Sequence, residues 1–313
     1  MKTLKLNSSA DGVMLSVAVI APTGNPSDNP TGTPATTPTV TPKGIFQISH
    51  GMAEHKERYY PFMEYLAQNG YVCIIHDHRG HGASVQCPED LGYMGKGGAA
   101  ALVEDLLLVQ EWACKEYPGL PVTLFGHSMG SMVVRAFARK YDDRIARLIV
   151  CGCPSDNPVK GMGAALSWIV GVFRGWHHRP ALINSMSFDS YNKPFEDEGP
   201  CAWLSANRDN VKEYLADPLC GFCFTANGFL NLMRIMGMCY SKKGWQMKNP
   251  AMPVLFVSGA DDPCRIDDKA FAKAVQFMRE RGYSDVDSKL YKGLRHELLL
   301  EKDAKDIVWK DLI

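Results

Sequence analysis

The sequence predicts an α/β chain, a mostly parallel central sheet flanked by helices and interrupted by a helical insertion. Three observations carry this. Short β-branched runs alternate with stretches of helical spacing between residues 44 and 150, the pattern of parallel strands joined by right-handed crossovers. Tyr71–His76 is apolar almost throughout, as a strand buried on both faces should be. The alternation lapses from Pro154 to Pro250 and resumes at Pro253.

Taken in order, Leu15–Ile20 is a short strand, followed by a Pro/Thr/Gly-rich segment at 21–43 that has almost nothing to bury. That segment is expected to be a flexible surface loop. Gly44–Ser49 is a strand, Arg58–Gln68 a helix stopped by Asn69-Gly70, and Tyr71–His76 a strand. Ala99–Tyr117 reads as a helix ending at Pro118, Pro121–Phe125 as a strand, Met129–Lys140 as a helix and Arg147–Val150 as a strand. After the insertion come a strand at Pro253–Ser258, a helix at Lys269–Arg281, a strand at Ser288–Tyr291 and a closing helix at Asp303–Ile313. The expected organisation is a core of residues 1–153 and 251–313 carrying a helical cap, or lid, at 154–250.

Composition narrows the function. Apolar residues make up 46% and charged residues 22% of 313, and 34 basic side chains balance 34 acidic ones. Neither disorder nor a coiled coil fits, and no net field favours nucleic acid. The N-terminus lacks the apolar core of a secretion signal. The greasiest stretch, 162–173, falls short of the roughly 20 residues that span a bilayer. Ten cysteines without such a signal read as reduced thiols of a cytoplasmic protein.

The chemistry centres on Gly126-His127-Ser128-Met129-Gly130, a G-x-S-x-G between the strand PVTLF and the helix SMVVRAFARK. This is the nucleophile elbow, a sharp strand-to-helix turn that lifts the serine above the sheet. Partners in this architecture follow in the order acid, then histidine. His296 is the last histidine and lies just past the final strand. Asp261 and Asp262 compete for the acid on the loop after VLFVS. Backbone N–H groups of Met129, next to the nucleophile, and of Met52, beside Gly51, are the expected oxyanion donors. In the cap, Trp168, Ile169 and Phe224 are expected to line an apolar substrate pocket.

These motifs resemble a known family. His50-Gly51-Met52-Ala53-Glu54-His55 with Arg58-Tyr59 is similar to the HGxxEHxxRY signature of monoacylglycerol lipases. His76–Ser84 resembles their D-x-x-G-H-G-x-S loop, and Gly126–Gly130 their GHSMG elbow. The resemblance covers 44–150 and 250–313. It implies the α/β-hydrolase fold with the cap inserted after the sixth strand, and a serine hydrolase related to monoacylglycerol lipases and lysophospholipases (S33-like). The family's acid position in G-x-x-D falls on Asp262. The implied partner is a small lipid-like ester, with no cofactor, no metal, no nucleic acid, and at most transient membrane-surface contact through the lid.

Two constellations compete with this reading. His76-x-His78-x-x-His81 has metal-motif spacing, but Gly80 stands where an aspartate ligand would be. Cys220-x-x-Cys223 has redox spacing but sits among Phe222, Phe224 and Phe229. The rival functions are a thioesterase, carboxylesterase or aminopeptidase on the same triad, a metallohydrolase, and an inactive binding protein.

Overall fold

The computed structural model describes residues 1–23 and 41–313. The Pro/Thr-rich segment expected as a flexible loop at 21–43 therefore lies almost wholly outside the described residues. Eight strands form one sheet: β1 (Lys2–Asn7), β2 (Met14–Ile20), β3 (Gly44–Ser49), β4 (Tyr71–His76), β5 (Val122–His127), β6 (Arg147–Cys151), β7 (Val254–Gly259) and β8 (Val286–Tyr291). Their spatial order is β1-β2-β4-β3-β5-β6-β7-β8. The pairs β1–β2 and β2–β4 are antiparallel and every other pair is parallel.

The helices α1 (Tyr60–Gln68), α2 (Gly98–Glu116), α3 (Met129–Tyr141) and α8 (Asp268–Arg281) flank the sheet. Apolar layers lie on both faces. One is built on Leu102, Leu106, Val133 and Phe137, the other on Phe46, Phe62, Phe125 and Ile149. Between β6 and β7 the chain forms α4 (Lys160–Arg174), α5 (Ala181–Phe188), α6 (Arg208–Ala216) and α7 (Ala226–Tyr240). The last of these is no loose lid element. Phe229, Leu232, Ile235 and Cys239 of α7 belong to the main core cluster.

Two segments depart from expectation. β1 is absent from the sequence reading because only Leu4 and Leu6 alternate inward on an otherwise exposed edge. The closing helix expected at Asp303–Ile313 is only a turn, α9 (Ala304–Ile307), followed by a 3₁₀ turn at Trp309–Asp311. There the Trp309 indole N–H donates to Leu299 O at 3.0 Å. That bond, with the β-branched Ile307 and Val308, pulls the chain off the helical path.

Arg135 of α3 has no exposed surface, and its Nη1 and Nη2 have no hydrogen-bond partner among the described residues. Only its Nε donates, to Ser131 O at 3.2 Å. The guanidinium lies between the rings of Tyr240 and Phe256, 4.6 and 5.9 Å from their centroids. A desolvated cation–π contact contributes about 2 kcal/mol, whereas burying a lone charge costs several. Arg135→Met should therefore hold or raise the melting temperature in a thermal scan. A drop of more than about 5 °C, roughly 2 kcal/mol at this size, would contradict this balance.

Candidate active site

Ser128 joins β5 to α3 with φ 52° and ψ −116°, a conformation that L residues avoid. Both flanking glycines are required by contact. A Cβ on Gly126 would lie 2.4 Å from Gly130 O, and one on Gly130 would lie 2.1 Å from Ser49 O. The turn is locked by Ser128 N–H donating to Cys151 O at 3.0 Å and by the Ser131 hydroxyl donating to Ser128 O at 2.6 Å.

Of the two competing aspartates, Asp262 is buried and Asp261 exposed. His296 Nδ1 lies 2.9 Å from Asp262 Oδ2. The same carboxylate accepts Cys264 N–H at 2.9 Å and the Ser258 hydroxyl at 3.1 Å. Burial pushes the Asp262 carboxyl up, but the charge and hydrogen bond of His296 and these two donors outweigh it and hold it below the usual range. Burial likewise pushes His296 down, and Asp262 overrides this to raise it. An imidazolium is therefore favoured beside Asp262, as a general base requires after it takes a proton. No hydrogen bond joins Ser128 Oγ to His296 among the described residues. The free nitrogen, Nε2, is 4.0 Å from Cys264 Sγ. In apo enzymes this contact often tightens only when substrate arrives.

The loop after β3 closes on the serine. A Cβ on Gly51 would stand 3.2 Å from Ser128 Cβ. Gly51 N–H donates to Glu54 Oε1 at 2.5 Å, and Ala53 is held at φ 52°. Met52 N–H has no acceptor among the described residues. Met129 N–H opens α3, where no intrahelical carbonyl reaches it. Both expected donors are thus free to meet an oxyanion.

Behind this loop lies a buried network with roles that were not read from sequence. Glu54 also accepts from the Tyr59 hydroxyl at 2.9 Å and from Arg58 at 2.8 Å. Arg58 forks onto Glu297 at 2.6 and 2.9 Å and reaches Asn210 of α6 at 2.9 Å. Burial pushes the Glu54 carboxyl up, but His127, Arg58 and Tyr59 together hold it well below the usual range. The backbone of His296 is pinned by the His127 Nε2–H, which donates to His296 O at 3.1 Å. The signature residues Glu54, Arg58 and Tyr59 thus tie the oxyanion loop to the histidine loop. Asn210 carried no signal. Nor did Trp203, whose ring sits 5.0 Å from that of His296 with Tyr191 packed behind it at 5.1 Å.

The cap residues expected around the substrate are placed differently. Trp168 and Ile169 are 50% and 46% exposed on the outer side of α4, because Ser167 and Gly171 take its buried side. Phe224 is fully buried against His81, Phe222 and Phe229. The rings of His76, His78 and His81 do not converge on a point: centroids are 4.8 Å apart for the first pair and 6.3 Å for the second. Cys223 Sγ turns to Phe224 O, away from its motif partner Cys220, which faces His55. Two groups of ligating side chains do converge: Asp262, Cys264 and His296, and separately His55, Asp217 and Cys220.

An elbow serine and a buried Asp–His pair beyond the carboxyl ends of β7 and β8 sit on a sheet of the α/β-hydrolase fold, and the relatives of this chain make it an ester hydrolase. Comparison with known proteins agrees. The chain is 36% identical over 305 residues to the monoglyceride lipase of Rattus norvegicus, covering 95% of this chain and 84% of that one. It is 25% identical over 263 residues to the monoacylglycerol lipase of Mycolicibacterium smegmatis, covering 84% of each. A thermostable carboxyl esterase from Bacillus coagulans shares the fold with a TM-score of 0.87, covering 99% of this chain and 96% of that one at 22% identity. Residues 40–303 match the family described as serine aminopeptidase, S33, and the chain belongs to it. Among the described residues no helix is long and apolar enough to cross a membrane.

Proposed function

We propose that this protein hydrolyses monoacylglycerol-type or lysophospholipid-type esters through an acyl-serine intermediate. The observation that carries the reading is the strained Ser128 elbow facing the Gly51-Met52 loop, with the His296–Asp262 pair at 2.9 Å. Ser128 Oγ attacks the ester carbonyl and its proton passes to His296 Nε2. Asp262 accepts the Nδ1–H and stabilises the imidazolium. The Met52 and Met129 amides bind the oxyanion, each such donor contributing about 3 kcal/mol in comparable sites. His296 then protonates the departing alcohol. Water, deprotonated by the same nitrogen, releases the acid.

Two things support a lipid-like substrate. The full-length relatives are lipases of monoglycerides. The outer faces of α4 and α5 expose Met162, Trp168, Phe173, Leu182 and Met186, each at 50% or more. These exposed apolar side chains fit transient contact with a lipid surface, with Trp168 and Ile169 meeting lipid rather than the bound acyl chain. No nucleic acid is part of this reading, and the free cysteines fit a reducing, cytoplasmic setting.

Specificity constants across monoacylglycerols, lysophospholipids, short nitrophenyl esters and aminoacyl amides test it. Monoacylglycerol or lysophospholipid should exceed aminoacyl amide by at least about 100-fold, the scale on which an apolar pocket discriminates. Preference for the aminoacyl amide would replace the lipase reading with an aminopeptidase.

A further inference from the structure

The strap between α6 and α7 crosses the oxyanion loop at one point. Gly221 N–H donates to Ala53 O at 2.9 Å, and the Tyr214 hydroxyl to the same oxygen at 3.2 Å. At this crossing His55 Nε2 stands 2.7 Å from Asp217 Oδ2. Both atoms and Cys220 Sγ lie within 4.8 Å of one another. His55 and Cys220 are buried and Asp217 is half-buried. On the far side of the ring, His55 Nδ1 is 2.5 Å from Glu57 Oε2, and Lys56 Nζ holds the other Glu57 oxygen at 2.7 Å.

We propose that His55, Asp217 and Cys220 bind a zinc-class divalent cation that fastens the cap strap to the oxyanion loop, at a site separate from the active site. The donor set is one imidazole, one thiolate and one carboxylate, which suits a borderline-soft, tetrahedral ion with water in the fourth position. Glu57 supplies the feature that metal-bound histidines nearly always show. It takes the Nδ1–H, which fixes the tautomer and leaves the Nε2 lone pair for the metal. Metal–donor distances of about 2.0–2.3 Å keep tetrahedral donors about 3.3–3.8 Å apart, so closing on an ion needs shifts of about 1 Å.

Cation binding displaces to solvent the proton on Cys220 Sγ and any proton on His55 Nε2.

Cobalt(II) titration of the reduced, chelator-treated full chain tests this. One equivalent should bring up a thiolate-to-cobalt charge-transfer band, and zinc should abolish it by displacement. Cys220→Ala and His55→Ala should lose the band. Asp217→Asn should weaken binding at least tenfold, and Cys223→Ala should bind as the parent does. Far-ultraviolet circular dichroism of each variant separates lost ligation from lost fold. The proposal is overturned if the parent shows no such band at stoichiometric cobalt, or if folded Cys220→Ala keeps it.

Discussion

Asp262→Asn should lower turnover of a nitrophenyl ester by about 10⁴-fold, the loss seen for the same change in a serine protease triad. Asp261→Asn should lose less than about tenfold on the same scale. The difference is built into the loop after β7. Asp262 is buried and takes three hydrogen bonds, from His296, Cys264 N–H and Ser258. Its neighbour is exposed, and among the described residues only its backbone N–H is engaged, by Leu294 O. An amide at 262 can still accept from Cys264 N–H, so the fold should survive. It would, however, present no negative charge to His296, and its N–H₂ would favour the wrong imidazole tautomer. Melting temperature within a few degrees of the parent, alongside collapsed turnover, is the expected signature. Equal damage from both substitutions would remove Asp262 from the triad.

Acidification from pH 7.5 to pH 5 should lower the melting temperature by more than about 10 °C. The cause is a group of histidines with no exposed surface behind the oxyanion loop: His50, His76, His78 and His81. Burial, with Arg79 adding to it, pushes His76 down to about 3, and burial takes His81 to about 4. His50 and His78 are lowered well below the ordinary value, by burial first and then by the neighbouring histidines. His78 N–H donates to His50 Nε2 at 2.9 Å, so His50 carries its proton on Nδ1, facing Gly51 O at 2.8 Å. Protonating Nε2 would break that link to the oxyanion loop.

In the unfolded chain each of the four titrates near 6.5. Their contribution is therefore intact above that value and declines as pH falls below it, by up to about 1.4 kcal/mol per histidine per pH unit. Four such groups approach about 8 kcal/mol at pH 5, comparable with a domain's whole stability. His55 and His296 are raised instead. Their stabilisation grows until the pH falls below about 6.5, by up to about 1.4 kcal/mol each from pH 7.5, so they offset only part of the loss. Among the described residues His76 has no hydrogen-bond partner on either nitrogen, and His76→Leu should move the acid midpoint downward. Thermal scans between pH 7.5 and 5 that show no change would contradict this.

How much of the molecule was legible depended on the range of the signal. β3 and β4 were read at their observed bounds because their runs are uninterrupted and buried along almost their whole length. The elbow was legible because strand, G-x-S-x-G and helix are contiguous. Chain order alone then led to His296, while the choice of Asp262 needed the family pattern. What failed was long-range or marginal. β1 pairs at an edge where two half-buried leucines are the only pattern. The outward setting of Trp168 and Ile169 depends on which side of α4 meets α7, and α4 is apolar on both sides. The His55–Asp217 contact joins residues 162 positions apart and has no local trace.

Intact mass and peptide mapping after brief reaction with a fluorophosphonate test the acyl-serine mechanism most directly. One adduct per chain should form, on the peptide carrying Ser128, and it should be absent from Ser128→Ala, which should also lose ester hydrolysis. A stoichiometric adduct on any other residue, or undiminished turnover in Ser128→Ala, would contradict the assignment of Ser128 as the nucleophile.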